Sequence, residues 1–338
     1  MKLFKIIRSA EWWEYKLPPL LGIGYATTLK CGGQIYDYWR WLFVILLSLV
    51  AGAAYVSIIN DVTDLKDDIM AGKKNRMQHL PVYCRWLLPL LCLLLGLFFE
   101  YTIYYPDTIS MILYLVPWVL FSLYSFPPFR LKNHGLPGIL CDAGGSHVFT
   151  SLLMISSMSF AMNRPIDIAW LTLTGIWALC YGLRGILWHQ YTDRENDIRS
   201  GLNTVATRIP PQKFRPLETT IFLIELLVTL GIFLYLSNLW IIIAYAFYVL
   251  LCFLRSRFLG QRPVVILTSG NMPVQILQLD YFQCIFPVTL LICATITDRD
   301  NLLPLTVHLV LFPDTLIRMV KDLKAVLYTI IKTKKLSA

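Results

Sequence analysis

Long apolar runs, separated by short polar segments, occupy most of the chain. A helix that crosses the hydrocarbon core of a bilayer needs about 20 mostly apolar residues. The pattern therefore predicts nine transmembrane helices, near residues 14–30, 41–59, 84–104, 109–125, 139–162, 168–189, 217–236, 239–257 and 280–297. A last segment, 302–331, is apolar as far as Phe312 and charged beyond it. It is either a tenth span or, as we favour, an interfacial amphipathic helix.

Composition supports this interpretation and excludes two other classes of protein. Of the 338 residues, 57% are hydrophobic and only 15% are charged. A soluble chain usually carries about 25% charged residues, so too few are present to cover a water-facing surface. Disordered chains need low hydrophobicity, which this chain lacks. The expected fold is all-α and polytopic, with nine helices around a central cavity and with membrane lipid as the surroundings.

The net charge of +9 is best explained by membrane topology. If the N-terminus is cytoplasmic, the loops 60–85, 126–138, 190–216 and 255–279 hold fifteen Lys and Arg residues, against four on the opposite side. Cytoplasmic loops carry such an excess. We therefore expect a multi-pass protein whose acidic loops open to the cytoplasm. No soluble domain is predicted to carry a nucleic-acid patch, and no obligate protein partner is evident.

Cysteines and the N-terminus add little chemistry. None of the eight cysteines forms a Cys-x-x-Cys pair and most lie in apolar runs, so we expect packing rather than disulfides or a metal site. The first residues, MKLFKIIRSAEWWEYK, contain no apolar run followed by a small-residue cleavage site. They are typical of an amphipathic lead-in rather than a cleaved signal peptide.

Two loops begin with acidic clusters where a hydrophobic helix leaves the membrane. They are NDVTDLKDD at 60–68 and QYTDRENDIRSG at 190–201. Each is followed, about seventy residues later, by a basic loop, at 127–135 and 255–263. This order predicts a degenerate repeat, with two four-helix halves and a ninth helix over residues 1–300. Residues 301–338 would form the C-terminal helix and a basic tail.

The spacing of the acidic residues predicts a magnesium site. Asn60, Asp64 and Asp68 recur at four-residue intervals, as do Asp193 and Asp197, so each set shares a helix face. Neighbouring carboxylates repel and are costly near a bilayer without a counter-charge. Mg²⁺ takes oxygen ligands and bridges carboxylates to phosphates. We expect two or three Mg²⁺ ions around one diphosphate, with the ligands Asn60, Asp61, Asp64, Asp68, Asp193 and Asp197.

Basic side chains follow each cluster and are expected to assist. Cations beside a diphosphate neutralise charge that the metal leaves over, and they stabilise the diphosphate as a leaving group. Gln190, one turn before Asp193, shares the face of the second cluster. The expected diphosphate contacts are Asn60, Arg76, Arg130, Lys132 and Gln190.

At this point the sequence resembles the UbiA superfamily of intramembrane prenyltransferases. NDVTDLKDD is similar to the family's N-D-x-x-D-x-x-x-D, and DREND at 193–197 is similar to its D-x-x-x-D. YSFPPFRLK at 124–132 and GLNT at 201–204 also resemble family motifs. The likeness covers roughly residues 5–300. The sequence departs from the family pattern where Arg76 is followed by Met77 instead of proline. The segment LRGILWHQYTD at 183–193 does not indicate which acceptor is used.

The resemblance implies Mg²⁺-dependent transfer of an isoprenoid chain from a prenyl diphosphate to a lipophilic, possibly aromatic, acceptor. It implies catalytic roles for Asp64, Asp193, Tyr124 and Lys132. Two alternatives remain. A terpene cyclase would ionise the same diphosphate without an acceptor, and a polyprenyl-phosphate sugar-phosphate transferase would use the same metal. A transporter is disfavoured, because the acidic clusters lie at helix ends on one face rather than at the midplane.

Three other polar positions remain open to a structural interpretation as well as a functional one. Arg184 lies within an apolar segment, where a charge is a functional candidate by default; it either faces the cavity or makes structural hydrogen bonds. His189, four residues before Asp193, either packs, steadies that carboxylate or acts as a base. Asp142, beside Gly144 and Gly145, lies where small residues favour close helix packing.

Overall fold

Helices form nearly all of the structure, a computed structural model that describes residues 6–70, 72–268 and 273–336, without the side chains of 333–336. The helices of the first half are α1 (Ser9–Lys30), α2 (Ile35–Thr63), α3 (Leu65–Met70), α4 (Val82–Phe99), α5 (Thr108–Ser125), α6 (Leu136–Ala143) and α7 (Phe149–Ala161). The helix α4 continues into a π-helical turn at Glu100–Tyr104, and α6 joins α7 through another at Gly144–Val148.

The second half has the same character and adds two short strands. Strands β1 (Arg262–Val264) and β2 (Val274–Ile276) pair in parallel, an element that the sequence pattern did not predict. A third π-helical turn, Tyr281–Ile285, leads into the helix that begins at Phe286. The helices are α8 (Ile168–Thr192), α9 (Arg194–Arg199), α10 (Val205–Arg208), α11 (Pro211–Leu236), α12 (Leu239–Leu259), α13 (Phe286–Thr297), α14 (Leu302–Leu311) and α15 (Asp314–Leu336).

The all-α polytopic fold is confirmed, but the count of nine spans is not. Every predicted segment is helical, yet within the described residues seven helices are long and apolar enough to cross a membrane. The helix α1 does not qualify, because it includes Glu11, Glu14 and Lys16 among its apolar residues. The apolar helix Tyr281–Thr297 is too short.

The C-terminal segment, predicted to be a tenth span or an interfacial amphipathic helix, is two helices rather than one continuous helix. It consists of α14 and α15, which are bent by 78° relative to each other. The break lies at Phe312 and Pro313, because proline has no N–H to continue a helix. Counted as one broken span, the pair would bring the number of candidate spans in the described chain to eight. The helix α15 packs against α12.

Helix starts follow local capping chemistry. Asp107 accepts hydrogen bonds from the backbone N–H of Ile109 and Ser110 at the start of α5. Asp167 caps α8 in the same manner, and Asn238 caps α12. Such side chains satisfy backbone donors that have no partner within the helix. The caps explain why these helices begin at these residues.

A close contact between α6 and α8 positions one wall of the central cavity. A Cβ atom at Gly182 would lie 3.0 Å from the Cα of Ala143 and 3.1 Å from Cδ2 of His147, so only glycine fits without a shift. The helix α1 packs against α2, α7 and α13, while α8 packs against α6 and α11. The cavity is lined by α1, α2, α6 and α8, and on its other side by α12 and α15.

Candidate active site

The first acidic motif lies at the end of α2, where its carboxylates meet cations from another loop. Asp64 follows the last residue of α2, and its Oδ1 accepts hydrogen bonds from Arg130 Nη2 at 2.8 Å and from Lys132 Nζ. Arg130 Nη2 also donates to Asp67 Oδ2 at 2.6 Å. Arg130 and Lys132, which are predicted to contact the diphosphate, therefore pair with Asp64, a predicted metal ligand.

Asn75, in the loop that follows the first motif, joins that loop to Asp61 and Asp68. Asn75 Nδ2 donates to the carbonyl oxygen of Asp61 and to Asp68 Oδ2, both at 2.8 Å. The carboxylate of Asp61 is buried and lies 3.6 Å from Arg8 Nη1 and 3.5 Å from Arg76 Nη1. Arg76, a predicted diphosphate contact, therefore pairs with a motif carboxylate in this structure.

The loop after α5 brings Arg130 and Lys132 to the site. The helix ends at Ser125, as expected from the two prolines that follow. Arg130 has a φ of 39°, an uncommon left-handed conformation for a residue other than glycine. Burial lowers the pKa of the Lys132 ammonium, and the neighbouring Asp64 carboxylate opposes that shift. An ammonium in such surroundings interacts strongly with any added negative charge.

The second motif lies at the end of α8 and is less enclosed. Asp193 is exposed, whereas Asp197 is buried and accepts a hydrogen bond from Thr204 Oγ1 at 3.4 Å. Burial raises the pKa of the Asp197 carboxyl, and the negative charge of Asp193 adds to the shift. The amide oxygen of Gln190 accepts a hydrogen bond from the backbone N–H of Val205 at 3.1 Å. Gln190 thus orders the loop beside the motif.

Electrostatic interactions connect the two motifs. The charges of Asp64 and Asp197 both act on the hydroxyl group of Tyr124, which lies near the end of α5. The positive charge of Lys73, in the loop after the first motif, acts on Asp197. Tyr124 therefore lies near a carboxylate of each motif.

A cavity of about 800 Å³ extends from the first motif into the helix bundle. Asn60 lines it, and the Oδ1 atom of Asn60 also accepts a hydrogen bond from Ser125 Oγ. A narrower pocket of about 110 Å³ lies between α1, α2, α5 and α7 and is mostly apolar. Trp12, Lys16, Val56, Ser57 and Phe121 line both spaces, which places the two side by side.

The sequence-predicted ligands suit Mg²⁺ by their chemistry. They offer carboxylate and amide oxygens, the donors that this ion prefers. In the part of the chain that the structure describes, no three His, Cys, Asp or Glu side chains are grouped closely enough to hold a metal. Arg8, Arg76, Arg130 and Lys132 balance the first-motif carboxylates instead. The donor types fit the ion, and bound metal would compete with these cations for the same oxygens.

The sequence profile of the UbiA prenyltransferase family matches residues 20–264. This chain belongs to the UbiA prenyltransferase family. It is thus an integral membrane transferase of prenyl groups. No protein among those with curated functions is similar enough in sequence to count as a relative.

Solved structures of UbiA homologues share its fold. A UbiA homologue from Archaeoglobus fulgidus bound to GPP and Mg²⁺ is 19% identical, with a TM-score of 0.57 over 90% of this chain and 100% of that chain. The DMAPP and Mg²⁺ complex gives the same score and identity over 91% and 100%. A Cd²⁺ complex gives a TM-score of 0.52 at 15% identity over 96% and 99%.

Arg184 of this UbiA-family protein makes structural contacts. Its Nη1 pairs with Glu225 Oε2 of α11 at 2.6 Å, and both side chains are buried. Its Nη2 donates to the carbonyl oxygens of Val265 and Leu277. Arg184 therefore joins α8 to α11 and to the strand region, although it also lines the cavity.

Several residues at the site of this UbiA-family protein were not found from the sequence. Arg8 and Asn75 support the first motif, but they lie outside it and their partners are distant in the chain. Lys16 and His147 line the cavity without belonging to any motif. The available signal was a polar residue within an apolar segment, which Asp142 and His147 both show.

Proposed function

We propose that this protein is a Mg²⁺-dependent prenyltransferase, which moves an isoprenoid chain from a prenyl diphosphate to a lipophilic acceptor. The observation that supports it most is the adjacency of the two spaces. A large cavity, which carries charged and polar side chains with Asn60 of the first motif among them, adjoins a smaller and mostly apolar pocket. A prenyl diphosphate has the matching form, with an anionic head and an apolar tail.

The diphosphate would bind between the two acidic motifs. Arg130 and Lys132 already pair with Asp64, and Tyr124 lies near both Asp64 and Asp197. Mg²⁺, held by Asn60, Asp61, Asp64, Asp68, Asp193 and Asp197, would neutralise diphosphate charge and stabilise the leaving group. The Archaeoglobus fulgidus homologue was solved with GPP and Mg²⁺, which supports a prenyl diphosphate and a divalent metal ion as the ligands of this fold.

The protein's own residues would then promote ionisation. Lys132 and Arg130 would stabilise the negative charge that develops on the diphosphate as the C–O bond breaks. This interaction strengthens in the transition state. The Tyr124 hydroxyl would donate a hydrogen bond to the diphosphate. The aromatic residues of the pocket, including Trp118 and Phe121, would shield the allylic cation from water. The acceptor, bound in the large cavity, would then capture the cation.

We further propose that the site opens to the cytoplasm. Both acidic motifs and the Arg130 loop lie at helix ends, in loops that share the excess of Lys and Arg. Cytoplasmic loops carry this excess. A water-soluble prenyl diphosphate head would then enter from the cytoplasm while its tail enters the bundle.

Release of diphosphate from prenyl diphosphates of several lengths, by purified protein in lipid, tests the proposal. We expect release to require Mg²⁺ and to stop in EDTA. Asp64→Asn and Asp193→Asn should each abolish most release, and the double variant should be little worse, because residues that act as a unit are not additive. Asp300→Asn, at an exposed turn, is the matched control.

The products distinguish the alternatives. Addition of a host lipid extract should yield a prenylated acceptor together with diphosphate. A cyclic hydrocarbon or alcohol made without extract would identify a terpene cyclase, and retention of the phosphate on the prenyl chain would identify a sugar-phosphate transferase. Full diphosphate release in EDTA would contradict the metal assignment.

A further inference from the structure

The last helix, α15, has too many charges to cross a membrane alone. Eight of its 23 residues are charged, whereas a spanning helix needs about 20 mostly apolar residues. The helix meets α12 near the end of that candidate span, where Asp322 Oδ2 lies 2.7 Å from Arg255 Nη2. Arg255 is in the last two turns of α12, so this part of α15 lies at the edge of the membrane rather than at its centre.

Charged contacts fix the face of α15 that points toward the protein. Arg318 Nη2 donates to Asp280 Oδ1 at 2.7 Å, and Arg255 Nη1 donates to Asp280 Oδ2 at 2.6 Å. With Asp322 they form an alternating row of four charges along one wall of the large cavity. The carboxylate of Glu14 in α1 accepts hydrogen bonds from the first two backbone N–H groups of α15. The opposite face of α15 is therefore held outward.

The outward face presents two adjacent stripes of side chains. Residues three or four positions apart lie on one side of a helix. The apolar stripe consists of four residues that are 42–59% exposed, Ile317, Val320, Leu327 and Ile331. The lysine stripe consists of three exposed residues, Lys321, Lys324 and Lys332. The surface that these stripes form is called the outer face of α15.

No described residue neutralises the lysine stripe. The ion pairs that α15 makes with described residues use Arg318 and Asp322 instead. Among the described side chains that follow Asp314 in α15, every exposed charge is positive. Contiguous exposed apolar surface beside such charges is typical of a binding surface. The outer face thus offers both apolar area and uncompensated positive charge to a partner.

We propose that the outer face of α15 binds anionic phospholipid head groups. The apolar stripe enters the boundary of the acyl chains, and the lysine stripe contacts the phosphate groups. An amphipathic helix with lysines on its polar side lies in the interface of a membrane in this manner. Each basic residue near an anionic membrane strengthens the attraction about fivefold. Lipid binding needs no turnover, so this surface does not depend on the proposed function.

Charge favours anionic lipid over two other occupants of the outer face. In an isologous dimer the same patch of both copies meets, so lysines of one copy would face lysines of the other. Neutral lipids would cover the apolar stripe but would leave the lysines without a partner. Anionic head groups supply the opposite charge, and they lie at the edge of the membrane, where α15 meets α12.

Quenching of a fluorescent label by brominated lipids tests the proposal. In a cysteine-free form of the full chain, Tyr328→Cys carries a bimane label, because Tyr328 is 68% exposed and lies one turn from both Lys324 and Lys332. The bilayer contains phosphatidylcholine and phosphatidylglycerol at a fixed ratio, and either one or the other carries bromine on its chains. We expect brominated phosphatidylglycerol to quench at an about fivefold lower fraction than brominated phosphatidylcholine.

Three controls separate the lysine stripe from general contact with lipid. Leu94→Cys, at an exposed position of α4, should be quenched equally by both lipids. Replacement of the three stripe lysines by glutamine should remove the preference at position 328 but keep the quenching, since the apolar stripe remains. Raised salt should have the same effect, because it screens exposed charges. The matched charge control should keep the preference and replaces three exposed basic residues outside α15, by Lys213→Gln, Arg215→Gln and Arg262→Gln.

The other outcomes contradict the proposal. No quenching at position 328, with normal quenching at position 94, would mean that protein or water covers the outer face. Equal quenching by both lipids would mean that lipid binds there without regard to charge. A preference that persists in raised salt would mean that the lysine stripe does not recognise the head groups. The salt measurement uses the native lysines, so it decides the matter even if the triple glutamine variant fails to insert.

Discussion

Lys132 contacts Asp64 in the structure and is mostly buried, so its role is open to a direct test at the residue scale. If it also contacts the diphosphate, Lys132→Ala removes a cation whose attraction grows as the leaving group gains charge. Such a contact is worth about 1.5–3 kcal/mol, so diphosphate release should slow about ten- to a hundredfold. Arginine should restore part of the rate, since charge returns without the same geometry.

Lys213→Ala is the matched control for Lys132. Lys213 is exposed in the first turn of α11, within the segment 190–216 that is assigned to the same side of the membrane. If Lys132 only supported topology, both variants would release diphosphate at the wild-type rate. A Lys132→Ala rate within about twofold of wild type, less than the loss of a charge-assisted contact, would remove Lys132 from the diphosphate site.

At the scale of elements, the ion pair between Arg184 and Glu225 joins α8 to α11. Glu225 is fully buried, and the two groups lie 2.6 Å apart. Removing one member of a buried pair leaves an unpaired charge, which costs about 3–5 kcal/mol. Arg184→Ala should therefore lower the denaturation midpoint in detergent. The double variant Arg184→Met with Glu225→Leu should recover most of that loss, because neither charge remains.

The exposed pair of Arg199 and Glu195 is the comparison. Its side chains are 75% and 85% exposed and lie 3.7 Å apart. Exposed pairs contribute little, so Arg199→Ala should leave the midpoint unchanged. A double Arg184 and Glu225 variant no more stable than Arg184→Ala would show that apolar replacement does not compensate for the pair.

The apolar pocket next to α2 makes a prediction about prenyl chain length. Gly52 lines this pocket, and a Cβ atom there would lie no closer than 3.8 Å to Trp118. Gly52→Leu should therefore fold, since leucine also favours the helix, and should fill space that the tail needs. We expect turnover to shift toward shorter prenyl diphosphates when several lengths compete.

Leu94→Phe adds bulk at an exposed position of α4 and is the control for Gly52→Leu. It should leave the preference for chain length unchanged. An unaltered preference in Gly52→Leu, with full turnover of the longest chains, would mean that the tail lies elsewhere.

The orientation of the whole molecule can be tested by labelling. In a cysteine-free variant, a cysteine at Ser200 should react with a membrane-impermeant reagent on the cytoplasmic side. A cysteine at Asn163 should react only from the opposite side. Both positions are exposed, so burial does not limit either reaction. The reverse labelling would contradict the orientation inferred from loop charge.

Across the whole molecule, the regular features were predicted from the sequence. Each predicted apolar segment is a helix, because a long apolar run has few other stable forms in a bilayer. The family could be recognised from two acidic motifs at the spacing that is typical of the family. These motifs are local patterns, so recognising them requires no tertiary structure. The end of α5 before Pro127 likewise follows from local chemistry.

The irregular features required the tertiary structure. Composition could not show that the C-terminal segment breaks at Pro313 into two helices, because Pro304 lies within α14 without ending it. The strands at 262–264 and 274–276 are too short to give a pattern. Glu225 could not be assigned to Arg184, because the two residues are distant in the chain and only helix packing brings them together.

The sequence by itself determined the class of fold and the family, because each is set by a local pattern. Only the tertiary structure decided which cation meets which carboxylate and which polar residues share a cavity. Lys16 and His147 lie more than a hundred positions apart and line one space. Their adjacency depends on how α1, α6 and α8 pack, which no local pattern specifies.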